Sequence, residues 1–122
     1  MVIINNRFIP LHEYRQQMLI EMANLDSEET GFAHYIWVGP PDPRHGHRIK
    51  VVNEPGRLDY QNTISVSISD HPKIVAGKPS SKLNSKKINW IFEFIKLNKN
   101  ILLQHARQEI TDRQLRIRLQ YP

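Results

Sequence analysis

The sequence predicts an α+β fold: a small, mostly antiparallel sheet packed on a long helix in the C-terminal half, plus an N-terminal amphipathic helix. Three observations carry this. "TISVSISD" (63–70) alternates apolar and polar residues with the period of a strand that buries one face. "KLNSKKINWIFEFIKLNKNILLQHARQEI" (82–110) repeats apolar residues at helical spacing over a length that a strand rarely reaches. Turn-rich stretches, "GPPDPRHGH" (39–47) and "EPGRLDYQN" (54–62), separate the β-rich segments.

Taken in order, "MVIINN" (1–6) supplies Val2, Ile3 and Ile4 for a short strand. Pro10 suits the first turn of a helix over 10–25, in which Leu11, Tyr14, Met18, Met22 and Leu25 form one apolar stripe. "DSEETG" (26–31) closes it with turn residues and three acids. A strand near 34–38 sends Tyr35 and Trp37 to one side and His34, Ile36 and Val38 to the other. A second strand is expected near 48–53, and a third over 63–69 with Ile64, Val66 and Ile68 in the core. "HPKIVAGK" (71–78) either extends that strand past a proline kink or returns as a short one.

The long helix is expected over 84–109, with Asn84 or Ser85 as its cap. Asn89, Glu93, Lys96, Asn100, Gln104 and Arg107 fall on one narrow arc, and apolar residues cover nearly all the rest. So broad an apolar surface implies burial on more than one side: a central core helix, or one with an oligomer interface such as a homodimer contact on a flank. In "RQLRIRLQYP" (113–122), Leu115, Ile117, Leu119 and Tyr121 alternate with Arg116, Arg118 and Gln120, which predicts a C-terminal strand near 114–121.

Composition narrows the chemistry. At 122 residues the chain suits one domain, 1–122, that buries a core without disulfides. The absence of cysteine excludes disulfide scaffolds, thiolate zinc sites, iron–sulfur centres and cysteine nucleophiles. "MVIINNRFIPLHEY" (1–14) lacks a charged leader followed by an apolar run, and no stretch approaches the ~20 apolar residues of a membrane helix. A cytoplasmic protein without membrane association is expected. Residues 1–72 carry six Lys/Arg against nine Asp/Glu, whereas residues 73–122 carry eleven against three. A basic half of this kind suits an anionic partner.

His45 and His47 are the catalytic candidates. Residues i and i+2 of an extended chain point to one side, so both imidazoles could meet one cation, with His34, Asp42, Asp70 and His71 available to complete the set. A metal-free alternative uses the two imidazoles as acid and base beside Arg48 and Lys50, for cleavage of RNA through its 2′-hydroxyl. An isolated H-x-H pair is more often a solvated loop feature, so neither a metal nor any other cofactor is expected. "GKPSSKLNSKK" (77–87) fails the phosphate-loop pattern, having one glycine and a proline after its first lysine. It still gathers Lys78, Lys82, Lys86 and Lys87 before a helix N-terminus, which favours anions. Arg116 and Arg118 add to this anion-binding set if the fold brings them near. No Ser–His–Asp order, paired-carboxylate motif or dinucleotide fingerprint occurs, so the chain reads as non-catalytic.

"YIWVGPPDPRHGHRIKVVN", "ISVSISDHPKIVAGK" and "INWIFEFIKLNKNILLQHA" together resemble the bacterial domain-of-unknown-function 4160 family over roughly residues 34–106. The resemblance implies a strand, a Pro/His-rich loop, two further strands and a helix ending in a "LNKNILL"-type motif. It also implies a prokaryotic, toxin–antitoxin-like setting; no activity is established for that family, so it supplies no catalytic residue. Residues 1–30 then form an N-terminal helical extension, 34–106 the family-like core and 111–122 a C-terminal strand.

The function expected is a non-catalytic regulatory or interaction module of bacterial or mobile-element origin. Its partner would be nucleic acid or a nucleic-acid-bound protein complex, held by the basic half. The alternatives are a protein-binding inhibitor of a host or rival complex, as in phage counter-defence, and a small His-dependent nuclease.

Overall fold

The computed structural model describes residues 2–4, 7–9, 23–39 and 46–122. Strand β1 (Val2–Ile4) is present as expected and pairs antiparallel with a second strand, β2 (Arg7–Ile9), that the sequence did not suggest. The main body is a five-stranded sheet of β3 (Ala23–Leu25), β4 (Ile36–Val38), β5 (Arg48–Val52), β6 (Thr63–Ser67) and β7 (Ile74–Ala76). Its order is β3-β4-β5-β6-β7, and every neighbouring pair is antiparallel. Each strand therefore lies beside its successor in sequence.

Register places Leu25, Ile36, Val51 and Ile64 across one row and Ala23, Val38, Ile49, Val66 and Ile74 across the next. These residues share the inner face. All but the half-buried Ile74 are buried, and they form one apolar cluster with the helices. Burying a side chain of this size contributes about 1.5–3 kcal/mol each.

Helix α1 (Ser27–Thr30) is a single turn, capped by the Asp26 carboxylate on the Glu29 N–H and closed by Gly31 at φ 72°. The long helix, α2 (Ser85–Ala106), starts where Asn84 accepts from the Lys87 N–H. It buries Ile91, Phe94, Ile95 and Leu102 in the cluster on the inner face of the sheet, while Trp90, Phe92, Ile101 and Leu103 are half-buried. Leu97 is 47 % exposed, so the apolar arc is covered only in part.

Two expectations are corrected. Residues 10–22 of the N-terminal helix lie outside the described residues, but its last turn is strand β3. Ala23 and Leu25 point inward two residues apart, and pairing with β4 satisfies the backbone in a way that one free helical turn does not. The described residues of the 1–30 extension are accordingly mostly strand. The C-terminal strand over 111–122 is instead a helix, α3 (Asp112–Arg118). Leu115 and Leu119 are buried four residues apart, whereas Ile117 is 72 % exposed, which is the helical period rather than the strand period. A capping box fixes its start: the Thr111 hydroxyl accepts from the Gln114 N–H, and the Gln114 side chain accepts from the Thr111 N–H. Between the two possibilities for 71–78, the chain returns as β7, beside a register shift at Ser65/Val66.

Candidate functional site

The start of α2 sits at one end of the sheet, with the segment before β4, the residues after β5 and the loop that follows β7. His34, just before β4, is fully buried. Its Nδ1 lies 2.7 Å from the Val52 carbonyl, which only accepts, so Nδ1 carries the hydrogen. Its Nε2 then offers a lone pair to the Lys87 ammonium at 2.8 Å, and the same ammonium donates to the Lys82 carbonyl at 2.9 Å. The imidazole is neutral by this geometry. Burial, and then the Lys87 charge, hold its pKa below the ordinary value, against the Val52 and Lys82 carbonyls and Glu54, which favour the proton.

Around this pair the walls are aromatic and amide. The Phe32 ring lies 5.3 Å from His34 and stacks on Trp90 at 4.5 Å, and Trp90 stacks on Phe94 at 5.3 Å. Buried Asn53 ties the two loops: its amide donates to Asn62 Oδ1 and the Lys78 carbonyl, and its Oδ1 accepts from the Ser80 N–H. Gly77, at φ 78°, approaches Thr63 so closely that an added Cβ would lie 2.4 Å from the Thr63 carbonyl oxygen.

The four lysines of the anion-binding set are thus on one loop and the first turn of α2. Lys78, Lys82 and Lys86 are exposed, and Lys87 is half-buried against His34. Lys82 pairs with Glu54 at 2.8 Å, and this hydrogen bond lowers the Glu54 pKa. No acid occupies the first turn of α2. Arg116 and Arg118 lie elsewhere, on the last turn of α3. There Arg116 donates to Glu29 at 2.9 Å and to the Asn24 carbonyl at 3.1 Å, which ties α3 to β3 and α1. α3 runs beside the C-terminal half of α2, joined by His105–Asp112 at 2.5 Å and by Asn98 bonds to Gln120. At ~1.5 Å per residue, Lys87 and Asn98 are about 16 Å apart along the helix, so lysines and arginines form two surfaces rather than one patch.

The histidines do not converge among the described residues. His45 and Asp42 lie outside them. His47 precedes β5 at the opposite end of the sheet, where its carbonyl accepts from the Ile68 N–H and its buried Nδ1 has no hydrogen-bond partner among the described residues. At about 3.3 Å per residue, β5 separates it from Val52, and so from His34, by roughly 17 Å. Asp70 pairs with Lys99 at 2.7 Å, which lowers its pKa, and His71 is exposed. His34 has both nitrogens engaged, so it offers no ligand. No three His, Cys, Asp or Glu side chains gather closely enough for a metal among the described residues. Likewise no described helix is long and apolar enough to cross a membrane.

Sequence reasoning missed the Lys87–His34 pair, which spans 53 residues and has no local signature. It also missed the structural Asn98 and His105, polar positions inside an apolar helix. Chemically, the α2 start presents cations and a neutral imidazole that is already occupied. Comparisons with family models, curated proteins and solved structures find no match to this chain.

Proposed function

We propose that the chain is a non-catalytic interaction module that binds nucleic acid, or a complex carrying it, through the lysines at the start of α2. The observation that supports this is the gathering of Lys78, Lys82, Lys86 and Lys87 on one loop and one helical turn, where Glu54 pairs with Lys82. Ammonium groups in such an array suit phosphate backbone, whose binding displaces counterions. The resemblance of residues 34–106 to the domain-of-unknown-function 4160 family agrees with a bacterial regulatory setting. Arg116 and Arg118 are omitted from the interface because they lie on α3, apart from the lysines at the start of α2.

The test is titration of labelled duplex DNA and single-stranded RNA from low to physiological salt. Affinity should fall by about 0.9 log unit per log unit of salt for each duplex phosphate neutralised. A Lys78→Ala, Lys86→Ala double variant removes two ammonium groups that hold no hydrogen bond among the described residues, and should flatten the slope by up to about two phosphates. Absence of binding at low salt by folded protein would remove this reading. A protein-binding inhibitor would then be favoured by the exposed apolar side chains Leu97 (47 %) and Ile117 (72 %).

A further inference from the structure

We infer that His34 and Lys87 form a proton-operated latch that fastens the start of α2 to the end of the sheet, and that protonation of His34 releases it. The donor count forces this. Val52 O takes the Nδ1 hydrogen, and Lys87 donates to the Nε2 lone pair. A proton added to His34 must go to Nε2, where it consumes that lone pair. Two N–H donors, both cationic, then face each other across 2.8 Å. The Lys82 carbonyl, at 2.9 Å from the ammonium, is the acceptor for which both compete. Lys87 sits near the protein surface and has water to turn to, whereas His34 is fully buried. The lysine is therefore the side chain that leaves.

The charges acting on His34 are Lys87 from α2 and Glu54 from after β5, while Lys82 contributes its carbonyl from the loop. Glu54 favours the proton but is bound to Lys82, with Arg57 also near it. The sign follows from the lowered pKa of folded His34. Between that value and the ordinary value of about 6.5, the unfolded chain binds more protons than the folded one. The contribution of the latch is complete above about pH 6.5 and is lost as pH falls through the folded value. The latch requires no anionic partner.

Imidazole NMR and amide hydrogen exchange, followed together from about pH 8 to about pH 4.5, across the ordinary histidine range, test it. At the upper end His34 should show the Nδ1–H tautomer. As it protonates, the Leu83, Lys87 and Ile88 amides, each hydrogen-bonded at the start of α2, should lose protection at least about tenfold on the same curve. The Leu102 amide, far along α2, serves as the internal reference and should not follow. In Lys87→Met, which keeps the stem and loses the donor, His34 should titrate closer to its ordinary value. The first-turn amides should then lose their dependence on His34. An Nε2–H tautomer, protonation without change at those amides, or an identical pH profile in Lys87→Met would each overturn the latch.

Discussion

Replacing Asn98 by Ala should detach the C-terminal tail from α2. Asn98 is 1 % exposed in the middle of the long helix. Its amide donates to the Gln120 carbonyl at 2.7 Å and to the Phe94 carbonyl at 2.8 Å, and its oxygen accepts from the Gln120 N–H at 2.8 Å. Two of these bonds hold the tail in a reciprocal pair. At about 0.5–1.5 kcal/mol net for each, their loss costs about 1–3 kcal/mol. The better helix propensity of alanine offsets roughly 0.6 kcal/mol. The Tyr121 ring, 6.1 Å from Phe94, loosens with the tail and adds to the cost. The net expectation is about 2 kcal/mol, or roughly 8 °C in Tm for a chain of this length. Urea unfolding measures it, and exchange of the Gln120 amide reports the tail directly. Gln120→Ala is the control: only its backbone is used, so it should stay within about 0.5 kcal/mol of the parent. An Asn98→Ala change below that figure, or a Gln120→Ala loss of equal size, would refute the clamp.

Two further outcomes follow from packing. Phe94→Ala empties a fully buried position stacked on Trp90 and should cost about 3–5 kcal/mol by urea unfolding, with a loss under about 1 kcal/mol contradicting its place in the core. Gly77→Ala must fit a methyl 2.4 Å from the Thr63 carbonyl at φ 78°, so it should lower the unfolding midpoint by more than the ~1 kcal/mol of an average substitution and raise exchange at the start of β6.

The parts of the fold that could be read from sequence are those with a dense local period. Ile64 and Val66 alternate with serines, and both are fully buried; the cap at Asn84 likewise stands three residues before the amide it holds. The C-terminal error shows where a period misleads. Leu115, Ile117 and Leu119 satisfy a two-residue repeat, but Leu115 and Leu119 also satisfy a four-residue one, and only burial distinguishes them. Thr111 followed by Gln114 was the local pattern that could have decided for a helix. β3 was hidden because its three residues acquire their structure from β4 rather than from their own sequence. For the candidate site, the lysine cluster was visible because it is contiguous. The separation of Arg116 from it, and the engagement of His34 by Lys87, depend on contacts across 87 and 53 residues.

The edges of the meander bear on how the molecule behaves when crowded with copies of itself. An unpaired strand edge offers a row of donors and acceptors to any passing extended chain, the first step of fibre growth. Here β7 is three residues long, lies beside a register irregularity, and is followed by Gly77 and Pro79 after being preceded by Pro72 and Lys73. A proline has no N–H to donate, and a lysine on each flank carries repulsive charge toward an identical chain. On the other side, Arg116 occupies the Asn24 carbonyl of β3. The five-stranded sheet is therefore guarded against edge-to-edge polymerisation at one border by shortness and proline, and at the other by a guanidinium that Glu29 also holds in place.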